Sequence, residues 1–181
     1  MLPVDESLLL FVNGLRAPWL DAIFGPLSSY GYYAFPLAML LAIPLRRWAG
    51  VRPMLDGWLA WFVATFVAET IVKPIALRPR PTAIPRLREL LDVIGSVPPP
   101  SSLAFPSGTA AACFGGATWI ALAFGWKPGV PALLFAALVS FTRVYAGLHW
   151  PSDLLGGAAI GAFTAFAISA LAKRAVPGAP R

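Results

Sequence analysis

The 181 residues are 58% hydrophobic and only 12% charged, with a mean hydropathy of +0.72, which excludes an ordinary soluble domain and assigns the chain to a bilayer. The formal net charge of +6 does not point to nucleic acid, because the basic residues fall in short clusters between apolar runs and not along one polar face. Membrane headgroups or anionic substrates are the expected partners, and the single cysteine, Cys113, rules out an intrachain disulfide and reads as a small packing residue.

The opening MLPVDES carries two acids and no base, unlike the positive start of a cleaved signal peptide, so it is expected to be retained. Across 5–28, Leu8, Val12, Leu15, Trp19, Ile23 and Leu27 recur at helical spacing while Asp5, Asn13, Arg16 and Asp21 interrupt them, and Pro18 divides the stretch. Two short amphipathic helices lying at the membrane interface are expected, with a sixth span as the alternative. A spanning helix needs roughly 20 apolar residues to cross about 30 Å of hydrocarbon, and five segments approach this: 31–46, 55–77, 107–125, 129–147 and 151–172. Pro36 and Pro44 are expected to kink the first. The fold class is therefore an all-α integral membrane bundle forming one domain over 1–181, with 78–106 as its long loop. Within that loop, Ile84, Leu87, Leu90, Leu91 and Ile94 suggest a short amphipathic helix with Arg86, Arg88, Glu89 and Asp92 turned to water. It reads as a solvated cover, with a substrate-recognising lid as the alternative.

Five spans put Arg46, Arg47, Arg52, Lys127, Lys173, Arg174 and Arg181 on one side, against Arg16, Lys73, Arg78, Arg80, Arg86, Arg88 and Arg143 on the other. The raw count is a tie, and setting aside those of the second group that belong to a phosphate-binding motif places the first side in the cytoplasm. Trp19, Tyr30, Tyr32, Tyr33, Trp48 and Trp150 lie near span ends and read as interfacial anchors. Gly156, Gly157 and Gly161 permit close helix approach, expected inside the protein; the oligomeric state is left open.

Three clusters place polar groups where a bilayer protein avoids them: Lys73 to Arg80-Pro81 after the second span, Pro106-Ser107-Gly108-Thr109 opening the third, and Thr142-Arg143 with His149 and Asp153 between the fourth and fifth. Because successive spans alternate in direction, all three emerge on one face. Each suits a tetrahedral phosphoryl group. Lys73, Arg80 and Arg143 can surround its oxygens, the arginines with forked donors and the lysine as a mobile charge. Ser107 can cap the third span's helix, and Gly108 lets its first amides approach the anion with the favourable end of the dipole. Asp153 lies four residues after His149, so its carboxylate can hold one imidazole nitrogen and leave the other to attack. Glu69, one turn before Lys73, reads as its ion-pair partner.

This arrangement closely resembles the type 2 phosphatidic acid phosphatase superfamily, whose signature is Lys-x6-Arg-Pro, Pro-Ser-Gly-His and Ser-Arg-x5-His-x3-Asp. Lys73, Arg80 and Pro81 match the first part; Arg143, His149 and Asp153 match the third, with Thr142 in place of the serine. The resemblance implies a helical bundle in the inner membrane with a metal-independent, cofactor-free site at the outer face, and a phosphohistidine on His149. The expected substrate is a lipid phosphate or diphosphate. One position departs: the family's histidine acid is Thr109 here, and the chain has no second histidine. A hydroxyl cannot act as an acid near neutral pH, though it can position phosphate or water. Three consequences stay open. The substrate can have a good leaving group, as a lipid diphosphate does, which favours an isoprenoid diphosphate; Glu69, Asp92 or Tyr145 can supply the proton; or the chain is a weakened or non-catalytic lipid-phosphate binder or transporter. A phosphotransferase using the same phosphohistidine is a further alternative.

Overall fold

The computed structural model describes residues 3–42, 51–94, 99 and 101–175, and apart from one isolated bridge between Pro79 and Leu103 the regular structure among them is helical. Arg46, Arg47, Pro44, Trp48 and Arg181 lie outside the described residues. The helices are α1 (Pro3–Gly14), α2 (Pro18–Tyr30), α3 (Ala34–Ala42), α4 (Arg52–Phe66), α5 (Lys73–Ala76), α6 (Pro85–Leu90), α7 (Gly108–Phe124), α8 (Trp126–Tyr145) and α9 (Pro151–Ala175). Proline stands in the first turn of α2, α4, α6 and α9, where its missing N–H costs nothing and its fixed φ suits the helix.

The centre is α7, packed between α4, α8 and α9. Its small residues Ala110, Ala111, Ala112, Gly115, Gly116 and Ala117 are buried, so neighbouring helices approach its backbone from every side. Three helical stretches are long and apolar enough to cross a membrane: Arg52–Ala76, Trp126–Tyr145 and Pro151–Arg174. Gly108–Phe124 is a shorter apolar helix, about 26 Å long at 1.5 Å per residue, enclosed by the others. With Leu55, Phe62, Leu134, Leu155, Phe163 and Leu171 facing outward, the protein is a multi-pass membrane protein with its apolar surface toward lipid.

Gly157 and Gly161 set the distance between α7 and α9. A Cβ on Gly157 would stand 2.3 Å from the Ser107 carbonyl oxygen, and one on Gly161 would stand 2.4 Å from that of Ala111. Both obstacles are backbone, so no rotamer change relieves them. Alanine at either position is expected to destabilise the protein by about 1–3 kcal/mol, the range for overpacked cores, read as a lower unfolding temperature in detergent.

The N-terminal region forms two helices broken at Leu15–Ala17, and the burial of α1 shows which of its faces is packed. Asp5, Leu9 and Asn13 of α1 point inward and are buried, while Val4, Leu8, Phe11 and Leu15 are exposed. The polar stripe is thus the packed face: Asn13 donates to the backbone carbonyls of Asp92 and Tyr145 at 3.0 and 2.9 Å. α2 runs beside α8, and from it the chain continues through a 3-10 turn, Gly31–Tyr33, into α3, which packs against α4 and α7. Phe24 meets Tyr145 and Phe141 of α8, and Phe35 meets Phe135. Asp21 is tolerated at the start because Arg16 and the Tyr145 hydroxyl both donate to it.

Candidate active site

Between α4 and α5 the helix widens into a π-turn over Val67–Val72, closed by the Lys73 amide bonding to the Ala68 carbonyl. Pro74 follows immediately; it has no N–H and crowds the preceding turn, so a wider turn upstream relieves the clash. The π-turn puts Glu69 and Lys73 together: both carboxylate oxygens accept from Lys73 Nζ, at 2.6 and 2.7 Å. Lys73 is buried while Glu69 is exposed. Leu77 then takes a left-handed conformation at φ 50°, which turns the chain out of the helix and into the extended segment Arg78-Pro79-Arg80. Across this segment the Ala104 amide bonds to the Arg78 carbonyl and the Trp150 indole to that of Pro79.

Arg80 and Arg78 both face the loop before α9. Arg80 is buried, donates through Nε to the Ser102 hydroxyl at 2.7 Å, and through one Nη to the Leu148 carbonyl at 2.9 Å and to His149 Nε2 at 3.0 Å. A guanidinium only donates, so Nε2 carries the lone pair and the proton sits on Nδ1. Nδ1 faces Asp153 Oδ2 at 3.2 Å, and the same oxygen accepts from the Trp150 amide at 2.9 Å. The sequence leaves Nε2 free to attack; in the structure its lone pair is held by Arg80, which must shift to release it.

His149 is 1% exposed, and burial, then the charges of Arg80, Arg143 and Lys73, hold its pKa well below 6.5. Its neutral form therefore persists as pH falls through 6.5 and is lost only further down. The chain has one histidine, so imidazole nitrogen resonances of the untagged protein report this side chain alone. They are expected to show the Nδ1–H tautomer at pH 6.5 with no titration there; a midpoint at or above 6.5 would contradict the geometry.

Arg143 comes from the last turn of α8. One Nη donates to the Ser28 carbonyl and hydroxyl at 2.8 and 3.1 Å, while its Nε is enclosed without a hydrogen-bond partner. Leaving such a donor unpaired costs about 1–3 kcal/mol and more when the group is charged, so the position favours an anionic acceptor. Ser107 is fully buried; its hydroxyl accepts from the Ala110 amide and its own amide donates to the Asp153 carbonyl at 2.9 Å, joining the start of α7 to α9. A Cβ on Gly108 would fall 2.0 Å from a Glu69 carboxylate oxygen, so Glu69 lies directly against the first turn of α7. Thr109 is half-buried on that turn. The proposed set thus occupies one end of the bundle, tied by Lys73–Glu69–Gly108, Arg80–His149–Asp153 and Asp153–Ser107, with Arg143 entering from α8.

Of the three groups considered as proton donors, Tyr145 gives its hydroxyl to Asp21 at 2.7 Å and Asp92 sits exposed beside Asn13, while Glu69 stands at the start of α7. Among the described residues no cluster of three or more His, Cys, Asp or Glu could hold a metal ion. The structure adds residues the sequence pattern did not single out: Arg78, Asp5, Ser152, Ser28 and Ser102. Arg78 donates to Asp153 Oδ1 at 2.7 Å, Ser152 at 2.6 Å and Asp5 at 2.7 Å. Trp150, expected as an interface anchor, is instead fully buried, with the Arg78 guanidinium 5.2 Å from the centre of its ring. In the long loop, Leu87 and Leu91 are buried against Leu9 of α1, whereas Leu90, expected on the apolar side, is exposed.

The sequence profile of the PAP2 superfamily matches residues 54–177. An undecaprenyl-diphosphatase of Sulfolobus acidocaldarius is 29% identical over 165 residues, covering 90% of this chain and 75% of that protein. A lipid A 4'-phosphatase of Bacteroides thetaiotaomicron is 29% identical, covering 88% and 73%. The crystal structure of Aquifex aeolicus LpxE superposes with a TM-score of 0.70 at 26% identity, over 92% of this chain and 95% of that one.

Proposed function

The chain belongs to the PAP2 superfamily, and from that membership we propose that it is a membrane phosphatase that removes a phosphoryl group from a lipid phosphate or diphosphate through a phosphohistidine on His149. The observation that carries the mechanism is the enclosed imidazole, with Nδ1 on Asp153, its Nε2 lone pair against Arg80, and Lys73 and Arg143 joining Arg80 in acting on its charge. When the phosphoryl group enters, Arg80 moves from Nε2 to a phosphate oxygen, and Lys73 exchanges the Glu69 carboxylate for another. Arg143 Nε gains an acceptor, and the first amides of α7 face the anion. Nε2 then forms a bond to phosphorus as the bond to the leaving oxygen breaks, and Asp153 stabilises the positive ring that results. Water next attacks phosphorus, the P–N bond breaks, and phosphate leaves. In this reading the site faces the extracytoplasmic side, Lys73, Arg80, Ser107, Gly108, Thr109 and Arg143 bind phosphate, and no metal takes part.

Thr109 favours a diphosphate. A departing phosphate monoester needs little protonation, whereas an alkoxide suffers the full loss of a general acid, about 10²–10⁴ in rate. The test is phosphate release from a panel of polyprenyl diphosphates and glycerolipid monophosphates, in chelator, by wild type and Thr109→His. Diphosphates are expected to be the better substrates, and the substitution is expected to raise monophosphate turnover more than diphosphate turnover. Equal effects would remove the leaving-group argument, and no release from any lipid would remove the hydrolase reading. Product formed only with an added lipid or sugar acceptor would replace hydrolysis with transfer.

A further inference from the structure

We propose that Asp5 and Arg78 are positioning residues for the nucleophile, with the N-terminal helix α1 lending a buried carboxylate that restores to the His149–Asp153 pair the negative charge Arg78 would otherwise cancel. The inference rests on His149 as nucleophile and goes beyond the three sequence motifs, which leave Arg78 as an unspecified position and do not reach Asp5.

The geometry is a chain of alternating charge. Asp153 uses Oδ2 for the imidazole and the Trp150 amide, and its Oδ1 accepts from Arg78 Nη1 at 2.7 Å. A guanidinium at that distance draws away the charge that should stabilise the phosphorylated, positive imidazole. The other arm of Arg78 donates to Asp5 Oδ2 at 2.7 Å. Two carboxylates and one guanidinium therefore stand behind His149, a net charge of −1, where Asp153 and Arg78 alone would sum to zero. Low local polarity makes that difference felt: Asp153 is 0% exposed and Asp5 4%.

Asp5 is built into this position. Its Oδ1 accepts from the Ser152 amide at 3.0 Å, in the first turn of α9, where a carboxylate is favoured by the orphan amides and the helix dipole. The Ser152 hydroxyl donates to Asp5 Oδ2 at 2.6 Å and accepts from Arg78. Leu9, one turn along α1, is fully buried with Leu87 and Trp150, so packing fixes the helix that carries the carboxylate. An outward turn of α1 would have placed Asp5 toward lipid, as Val4 and Leu8 are placed.

A merely structural tie and an electrostatic one differ in what charge-neutral substitution does. Asp5→Asn keeps an acceptor for the Ser152 amide, so α1 stays docked, but the charge is gone. In the full-length protein in detergent micelles, with a polyprenyl diphosphate as probe, kcat is expected to fall about 10–100-fold with little change in KM, the scale on which partners one step removed from the reacting group act. Asp5→Asn with Arg78→Gln restores the net charge of −1 and is expected to recover part of that loss. A second readout needs no turnover. In Asp5→Asn the imidazole resonances of His149 should titrate at still lower pH, since Lys73, Arg80, Arg143 and Arg78 then face it with Asp153 and Glu69 alone opposing them. Wild-type kcat in Asp5→Asn, an unmoved His149 titration, or a double variant losing the product of the two single losses would overturn the inference. An inactive wild type would instead defeat the phosphatase reading, and the His149 titration would still decide the role of Asp5.

Discussion

Replacing His149 with alanine is expected to lower turnover by about 10⁴-fold or more, the largest effect of any single substitution, because it removes the atom that receives the phosphoryl group. Removing an acid or a positioning group slows a step whereas removing the nucleophile deletes the step. The residual rate would come from the cationic pocket acting on water alone. The imidazole is enclosed by Arg80, Asp153 and the backbone around Leu148, so alanine also leaves Arg80 without its Nε2 acceptor. Arg80 keeps its bonds to Leu148 and Ser102, which should preserve the loop and let phosphate binding survive. The measurement is phosphate release together with binding of inorganic phosphate: lost turnover with retained binding is the expected pair of results.

The second large effect is expected at Arg143. Methionine there keeps much of the side-chain volume but removes the forked donors, and kcat should fall about 10²–10³-fold, the range for losing a preorganised donor to a developing anion. Stability should behave differently. The substitution removes an enclosed Nε that has no partner and at the same time takes a donor from Ser28. These terms oppose each other and are each about 1–3 kcal/mol, so the unfolding free energy should change by less than about 2 kcal/mol. Activity lost with the fold retained separates a phosphate ligand from a structural cation; a collapse of stability equal to the loss of activity would argue for the second.

What could be read directly from the chain is what depends on spacing along it. Lys73 and Arg80, and Arg143, His149 and Asp153, are separated by helical or short-turn intervals, so their types and offsets alone imply shared placement, and alternating spans carry them to one end. Glu69 with Lys73 follows from the same short-range logic. Arg78 was harder. Its type alone marks it only as a charge, although in an extended segment residues two apart share a face, and Arg78-Pro79-Arg80 therefore offers both guanidinium groups to the same loop. Asp5 and Ser28 reach their partners across most of the sequence, and no periodicity encodes such contacts. The facing of α1 is not encoded in its periodicity: the spacing separates a polar from an apolar stripe, and only the packing shows that Asp5 and Asn13 are satisfied inside the protein while Val4, Leu8 and Phe11 face outward. Trp150 is buried where the sequence suggests an anchor, since proximity to a span end does not distinguish an anchor at the interface from a ring that walls an internal site.

The most direct measurement is capture of the covalent intermediate: wild type mixed with a lipid diphosphate carrying a labelled distal phosphate, quenched in milliseconds. One label per chain is expected on His149, lost in acid, stable in alkali and absent from His149→Ala. Phosphate release without label on that histidine, or label on any other side chain, would contradict attack by its Nε2.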